Sequence, residues 1–124
     1  MADELLEKGV AIRSDMFGQV RLTGASGGFN EDFEQLVNEY CFGAVWGREG
    51  LSRAQRSMLT IAILATEGRP EELRAHVRGA LGNGVSREEI REVLIHTAVY
   101  AGIPAGVGGF RAAAEVFASL EEEA

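Results

Sequence analysis

The chain has 124 residues, which is enough for a single core that buries roughly two-thirds of the unfolded surface and not enough for a second one. Its 46% apolar content is ordinary for a globular protein, its longest apolar run, around Met58–Ala65, is too short to span a bilayer, and its single cysteine, Cys41, excludes an internal disulfide. Nineteen acidic against twelve basic residues give a formal net charge of −7, which argues against nucleic acid held by a broad basic surface and leaves a small anionic ligand open.

The opening MADELLEKG is acidic and amphipathic where a signal peptide would be basic and then apolar, so a cytosolic protein is expected. Residues 2–20 read as a first helix carrying Leu5, Leu6, Val10, Ile12, Met16 and Phe17, with Gly18 near its end. The stretch TGASGGF at 23–29 reads as a connector. A second helix is predicted from Asn30, whose side chain can cap it, to about Phe42, with Glu31 and Asp32 in its first turn. Gly43 to Gly50 then reads as a loop holding Trp46, the only tryptophan.

Ser52 and Gln55 match a capping box, and the helix they open, Arg53 to about Thr66, is apolar almost all round from Met58 to Ala65. That helix is the expected buried centre. Helix four runs from Pro70, suited to the first helical position, to Asn83. Asn83-Gly84 suits a left-handed helix end, and Ser86 with Glu89 forms a Ser-x-x-Glu box that starts helix five, Arg87 to about Gly102. Pro104 begins helix six, which ends in the acidic tail Glu121–Glu123. No strand signal competes, so the expected fold is an all-α, single-domain bundle of about six helices over residues 1–124. Gly102, Gly106, Gly108 and Gly109 each cost about 1 kcal/mol in a helix relative to alanine, and read first as a close helix–helix or subunit contact.

The stretch 69–104 carries the candidate chemistry. Glu72 and His76 sit four apart on helix four, on one face. On helix five, Glu92, His96 and Tyr100 form a stripe at i, i+4 and i+8, beside a core face of Ile90, Val93, Leu94, Thr97, Ala98 and Ala101. The tight turn implies that the two helices pack side by side. Each histidine therefore has a carboxylate to orient it and adjust its pKa, against the plain alternative of a histidine packed structurally between helices. Glu-x-x-x-His twice lacks a third ligand at the spacing of known zinc motifs, so no metal is expected. Every cation except Lys8 is an arginine, the residue that binds carboxylates bidentately, although biased composition explains this as well. Arg53 and Arg56 are candidates to clamp a substrate carboxylate, with surface ion pairing as the alternative.

Three long blocks carry a resemblance: FNEDFEQLVNEYCFGAVWGREGLSRAQRSMLTIAIL at 29–64, ELRAHVRGALGNGVSREEI at 72–90, and HTAVYAGIPAG at 96–106. They resemble the gamma-carboxymuconolactone decarboxylases, whose alkyl hydroperoxidase D-like fold group also contains thiol peroxidases with a Cys-x-x-Cys four residues before a histidine. Aligned on His76, those cysteine positions fall on Arg69 and Glu72, and the sole thiol, Cys41, lies far upstream, so disulfide-based peroxidase activity is disfavoured.

The resemblance implies decarboxylation of gamma-carboxymuconolactone to the enol-lactone of 3-oxoadipate in protocatechuate breakdown. Electrons left by carbon dioxide can delocalise through the ring alkene onto the lactone carbonyl, so no cofactor is demanded. The protein must hold the spectator carboxylate, stabilise the enolate oxygen and protonate carbon. The implied catalytic residues are His76, His96 and Glu72. Arg53, Arg56, Arg69, Trp46, Tyr100 and Glu92 are the candidates to line the substrate, although Trp46 reads first as a packing anchor. Apolar surface that includes Phe110 and Phe117 points to self-association, with a homotrimer or homohexamer expected and no membrane partner. Two other readings remain: the same fold acting on another carboxylated ring-cleavage or secondary-metabolite acid, and a non-catalytic oligomeric protein that binds a ligand.

Overall fold

The computed structural model describes residues 2–18 and 28–124, and these are helical throughout with no strand among them. They form two compact units, Met1–Ser52 and Arg53–Ala124. Each gathers its own apolar cluster, where length alone pointed to one. Most of the predicted connector at 23–29 lies outside the described residues.

In the first unit, α1 (Ala2–Phe17) packs along a second helix that starts as α2 (Glu31–Leu36) and continues without a break as a π-helix, Val37–Trp46. The predicted loop at 43–46 is therefore helical. Gly43 reads in sequence as a break, but it marks the place where α1 comes in: a Cβ there would lie 2.3 Å from the Leu5 carbonyl oxygen, and one on Gly9 would lie 1.7 Å from that of Asn38. Only glycines allow two backbones this close. The approach brings Ile12, Met16, Phe42 and Trp46 into one buried cluster, with the Phe42 and Trp46 rings stacked at 6.1 Å. Asn30 stands at the start of α2 without capping it through its side chain, and its amide instead donates to Glu34 Oε1 at 3.5 Å. Arg13 is buried in this unit, donating to Glu34 Oε2 at 2.6 Å and Asn38 Oδ1 at 3.1 Å.

The second unit is a four-helix arrangement of α3 (Arg53–Glu67), α4 (Pro70–Gly82), α5 (Arg87–Ala101) and α6 (Ile103–Glu123). Both central helices, α3 and α6, pack on α4 and on α5 as well as on each other. The helices on either side of the tight turn do not pack side by side as their short connection suggests. They lie across the bundle from one another, because the apolar stripes of α4 (Leu73, Val77, Ala80) and of α5 (Ile90, Leu94) both bury against α3 and α6. As expected, α3 supplies Ile61 and Ala65 to the centre, although Leu59 and Ile63 are exposed on its other side.

The local signals at the α4–α5 connection hold. Gly84, at φ +92°, takes the left-handed position; its N–H donates to the Leu81 carbonyl at 3.1 Å and that of Val85 to the Ala80 carbonyl at 2.9 Å, which closes the end of α4. The Ser86 hydroxyl accepts from the Glu89 N–H at 3.0 Å while Glu89 Oε1 accepts from the Ser86 N–H at 2.9 Å, forming the predicted box. Gly106 and Gly109 let α6 close on α5: a Cβ at either would lie 2.6 Å or less from Ala98 or Leu94 side-chain atoms. Gly108 faces open space.

Candidate active site

The seam between α3 and α4 positions His76. Asn83 Nδ2 donates to Ser57 Oγ at 2.9 Å, which fixes the antiparallel register of the two helices. Seven residues are nearly two full turns, so His76 shares the α3-facing side of α4 with Asn83. Ser57 is fully buried, and its neighbour Arg56 is half-buried with Nε shut away from solvent. Among the described residues that Nε finds no acceptor, leaving a desolvated cationic donor on the first turn of α3.

His76 itself is partly buried, with Nδ1 inaccessible to water. Burial disfavours the imidazolium and pulls the pKa from 6.5 down to about 4, while the negative charge of Glu72, one turn earlier, acts in the opposite direction. The ring is therefore neutral at pH 7. A neutral imidazole carries one N–H donor and one bare nitrogen that accepts a proton.

The structure places the other sequence candidates as follows. Glu72 is exposed but close enough to His76 to influence its charge. Arg53 is half-buried on the first turn of α3. Arg69 sits at the start of α4, exposed, and lines a separate cavity of about 490 Å³ between α3, α4 and α6. Glu92, His96 and Tyr100 all lie on the outer face of α5, Tyr100 81% exposed, with the His96 and Tyr100 ring centroids 5.0 Å apart. The second unit thus does not bring His96 to His76, because their helices lie across the bundle. Trp46 is buried in the cluster of the first unit, as a packing anchor.

Cys41 is partly buried in the first unit. Burial pushes its thiol pKa up, against a smaller opposing effect of Arg13, so the thiolate that peroxidase chemistry needs is disfavoured. Among the described residues no three His, Cys, Asp or Glu side chains converge as a metal site would require. No helix among them is long and apolar enough to cross a membrane.

Residues 31–115 match the carboxymuconolactone decarboxylase family. The chain belongs to that family. It is 36% identical over 121 residues to the 4-carboxymuconolactone decarboxylase of Acinetobacter baylyi, covering 95% of this chain and 90% of that protein. It is also 39% identical over 103 residues to the nitrosuccinic acid decarboxylase of Metarhizium robertsii, covering 81% of this chain and 72% of that protein. Both relatives are decarboxylases by name, and the chain is an enzyme of this carbon–carbon lyase type.

Within this family member, Ser57 and Asn83 join the seam although neither side chain belongs to a sequence motif. Ser57 carries a signal in the sequence: it is the one polar residue on the stripe Ser57, Ile61, Ala65, and a polar group on a buried stripe needs a partner. Asn83 signals a helix end through its backbone, and its side chain supplies that partner.

Proposed function

We propose that the protein is a cofactor-independent decarboxylase that converts gamma-carboxymuconolactone to the enol-lactone of 3-oxoadipate in protocatechuate breakdown. The observation that carries this reading is the near full-length similarity to a 4-carboxymuconolactone decarboxylase, 36% identity across 95% of the chain. The geometry supplies a chemically reasonable catalyst. A neutral imidazole donates a hydrogen bond to an enolate oxygen without first giving up a proton, and a donor in a desolvated seam is stronger than one in water. The substrate's carboxylates, on arriving, raise the affinity of His76 for a proton, so the ring can load one and deliver it to carbon after carbon dioxide leaves. Glu72 favours that loading, and Arg56, with Arg53 beside it, holds a carboxylate bidentately. The electron sink belongs to the substrate, and no cofactor enters the scheme.

The proposed protein works in the cytosol as a homotrimer or homohexamer. The exposed apolar side chains Ile95, Val99, Ile103 and Val107 on α5 and α6 support self-association, and His96, Tyr100 and Glu92 lie beside them. A second reading keeps the catalyst and changes the acid. The nitrosuccinic acid decarboxylase supports it, since that name denotes a dicarboxylic acid with a different electron-withdrawing group.

The deciding experiment incubates purified protein with gamma-carboxymuconolactone and follows captured carbon dioxide. Release above the spontaneous rate, lost in His76→Gln with helix content intact, supports the proposal. No release from the lactone sinks the substrate assignment, and release from neither the lactone nor nitrosuccinate sinks both readings.

A further inference from the structure

The cavity of about 490 Å³ in the second unit lies between the end of α3, the start of α4 and the first half of α6, and neither histidine lines it. Its volume falls within the roughly 300–1,000 Å³ typical of small-molecule sites. Its walls divide by chemistry. Leu64, Ala65, Leu73 and Ala112 give an apolar floor, and the rim carries three guanidiniums, Arg69, Arg74 and Arg111, against two carboxylates, Glu67 and Glu115. This is a local positive excess on a chain of net charge −7.

The three arginines are not equivalent. Arg74 is committed to Glu115, with Nη1 to Oε2 at 3.1 Å. Among the described residues, the side chains of Arg69 and Arg111 have no hydrogen-bond or ion-pair partner. They approach the cavity from different elements, Arg69 from the start of α4 and Arg111 from the middle of α6. On α6 the stripe Pro104, Gly108, Arg111 and Glu115 faces the cavity, and a Cβ built on Gly108 would meet no atom within 4 Å. The glycine thus leaves room in the cavity that any side chain would fill.

We propose that this cavity is a binding site for a small dicarboxylate, with Arg69 and Arg111 each taking one carboxylate and the carbon skeleton resting on the apolar floor. Two guanidiniums on separate helices suit two separated anionic groups on a carbon body better than one compact anion, because each fork pairs with one planar carboxylate. The inference is independent of the decarboxylase reading, since occupancy can be measured without turnover.

The test is isothermal titration calorimetry of the full chain with succinate. Wild type shows saturable binding, and Arg69→Gln and Arg111→Gln each bind at least about tenfold more weakly, the scale of one charge-assisted pair. Gly108→Leu fills the space and loses binding while keeping helix content and melting temperature. Arg91→Gln, at an exposed position on α5 away from the cavity, binds as wild type, and inorganic phosphate does not compete. The proposal is overturned by absence of saturable binding to wild type or by unchanged affinity in Arg111→Gln. It is equally overturned by affinity lost in His76→Gln or Arg56→Gln and kept in Arg111→Gln, or by phosphate competing as well as succinate. The two arginine variants carry the test should Gly108→Leu fail to fold.

Discussion

His76 and His96 stand in the same local pattern, each four residues after a glutamate on a helix of similar length, and they end in opposite surroundings. His76 lies in the α3–α4 seam with Nδ1 shut off from water and its pKa lowered to about 4, whereas His96 lies exposed on the outer face of α5 against an exposed tyrosine ring. The difference comes from which side of each helix a neighbour covers. On α4 the stripe containing His76 continues into Asn83, which bonds α3; on α5 the core stripe runs through Ile90, Leu94 and Thr97, and His96 falls outside it. A motif four residues long says nothing about that, and only the packing gives the two rings different surroundings.

The sharpest way to break this contrast is turnover. With the proposed substrate, His76→Gln is expected to lower kcat by roughly 10²–10⁴-fold, the usual worth of a general acid–base group, while His96→Gln stays close to wild type. Both variants should keep wild-type helix content by circular dichroism. The reverse result would transfer the chemistry to the outer face of α5.

The next largest effect is on stability against pH. A histidine held at about 4 when folded and 6.5 when unfolded binds more protons in the unfolded state between those values, so stability rises with pH across that window. The loss on acidification from about pH 7 to pH 4 is on the order of 3 kcal/mol for this group alone. Urea unfolding at several pH values measures it, and His76→Gln should flatten that part of the profile. A variant as acid-sensitive as wild type between pH 6.5 and 4 would show that His76 is not the buried group responsible.

Much of this architecture is legible in the chain because local chemistry and global fold agree. Pro70, Gly84 and the Ser86–Glu89 box are positional signals whose effect is complete within a few residues, and all three appear where the sequence places them. What fails to show depends on contacts between distant segments. Gly43 reads as a helix stop until α1 is seen to run against it, and Trp46 reads as a loop residue until the helix is seen to continue beneath it. The site is similar: Glu72 and His76 are visible as a pair, but Ser57 and Asn83 are 26 residues apart and meet only through the register of two helices. Arg111 carries no signal in the sequence, because nothing near it shows that Gly108 leaves a space at its side.

A smaller effect sharpens the contrast between the helices themselves. The α5 helix starts with a complete capping box and α4 with a proline and no side-chain cap, so Ser86→Ala should cost about 1 kcal/mol of stability in urea unfolding. If that loss is absent, the box contributes nothing beyond what solvent supplies.

The subtlest test concerns Glu72, whose charge partly offsets the effect of burial on His76. Because Glu72 is exposed, its influence passes through a region that salt can screen, whereas desolvation does not depend on ionic strength. Glu72→Gln should therefore move the His76 titration, followed by the ring proton signals in NMR, to lower pH than in wild type. Raising the salt concentration on the wild-type protein should move it in the same direction and leave the variant nearly unchanged. A variant whose titration still shifts with salt would identify another charge as the one that speaks to His76, and the pairing of these two residues would lose its electrostatic meaning.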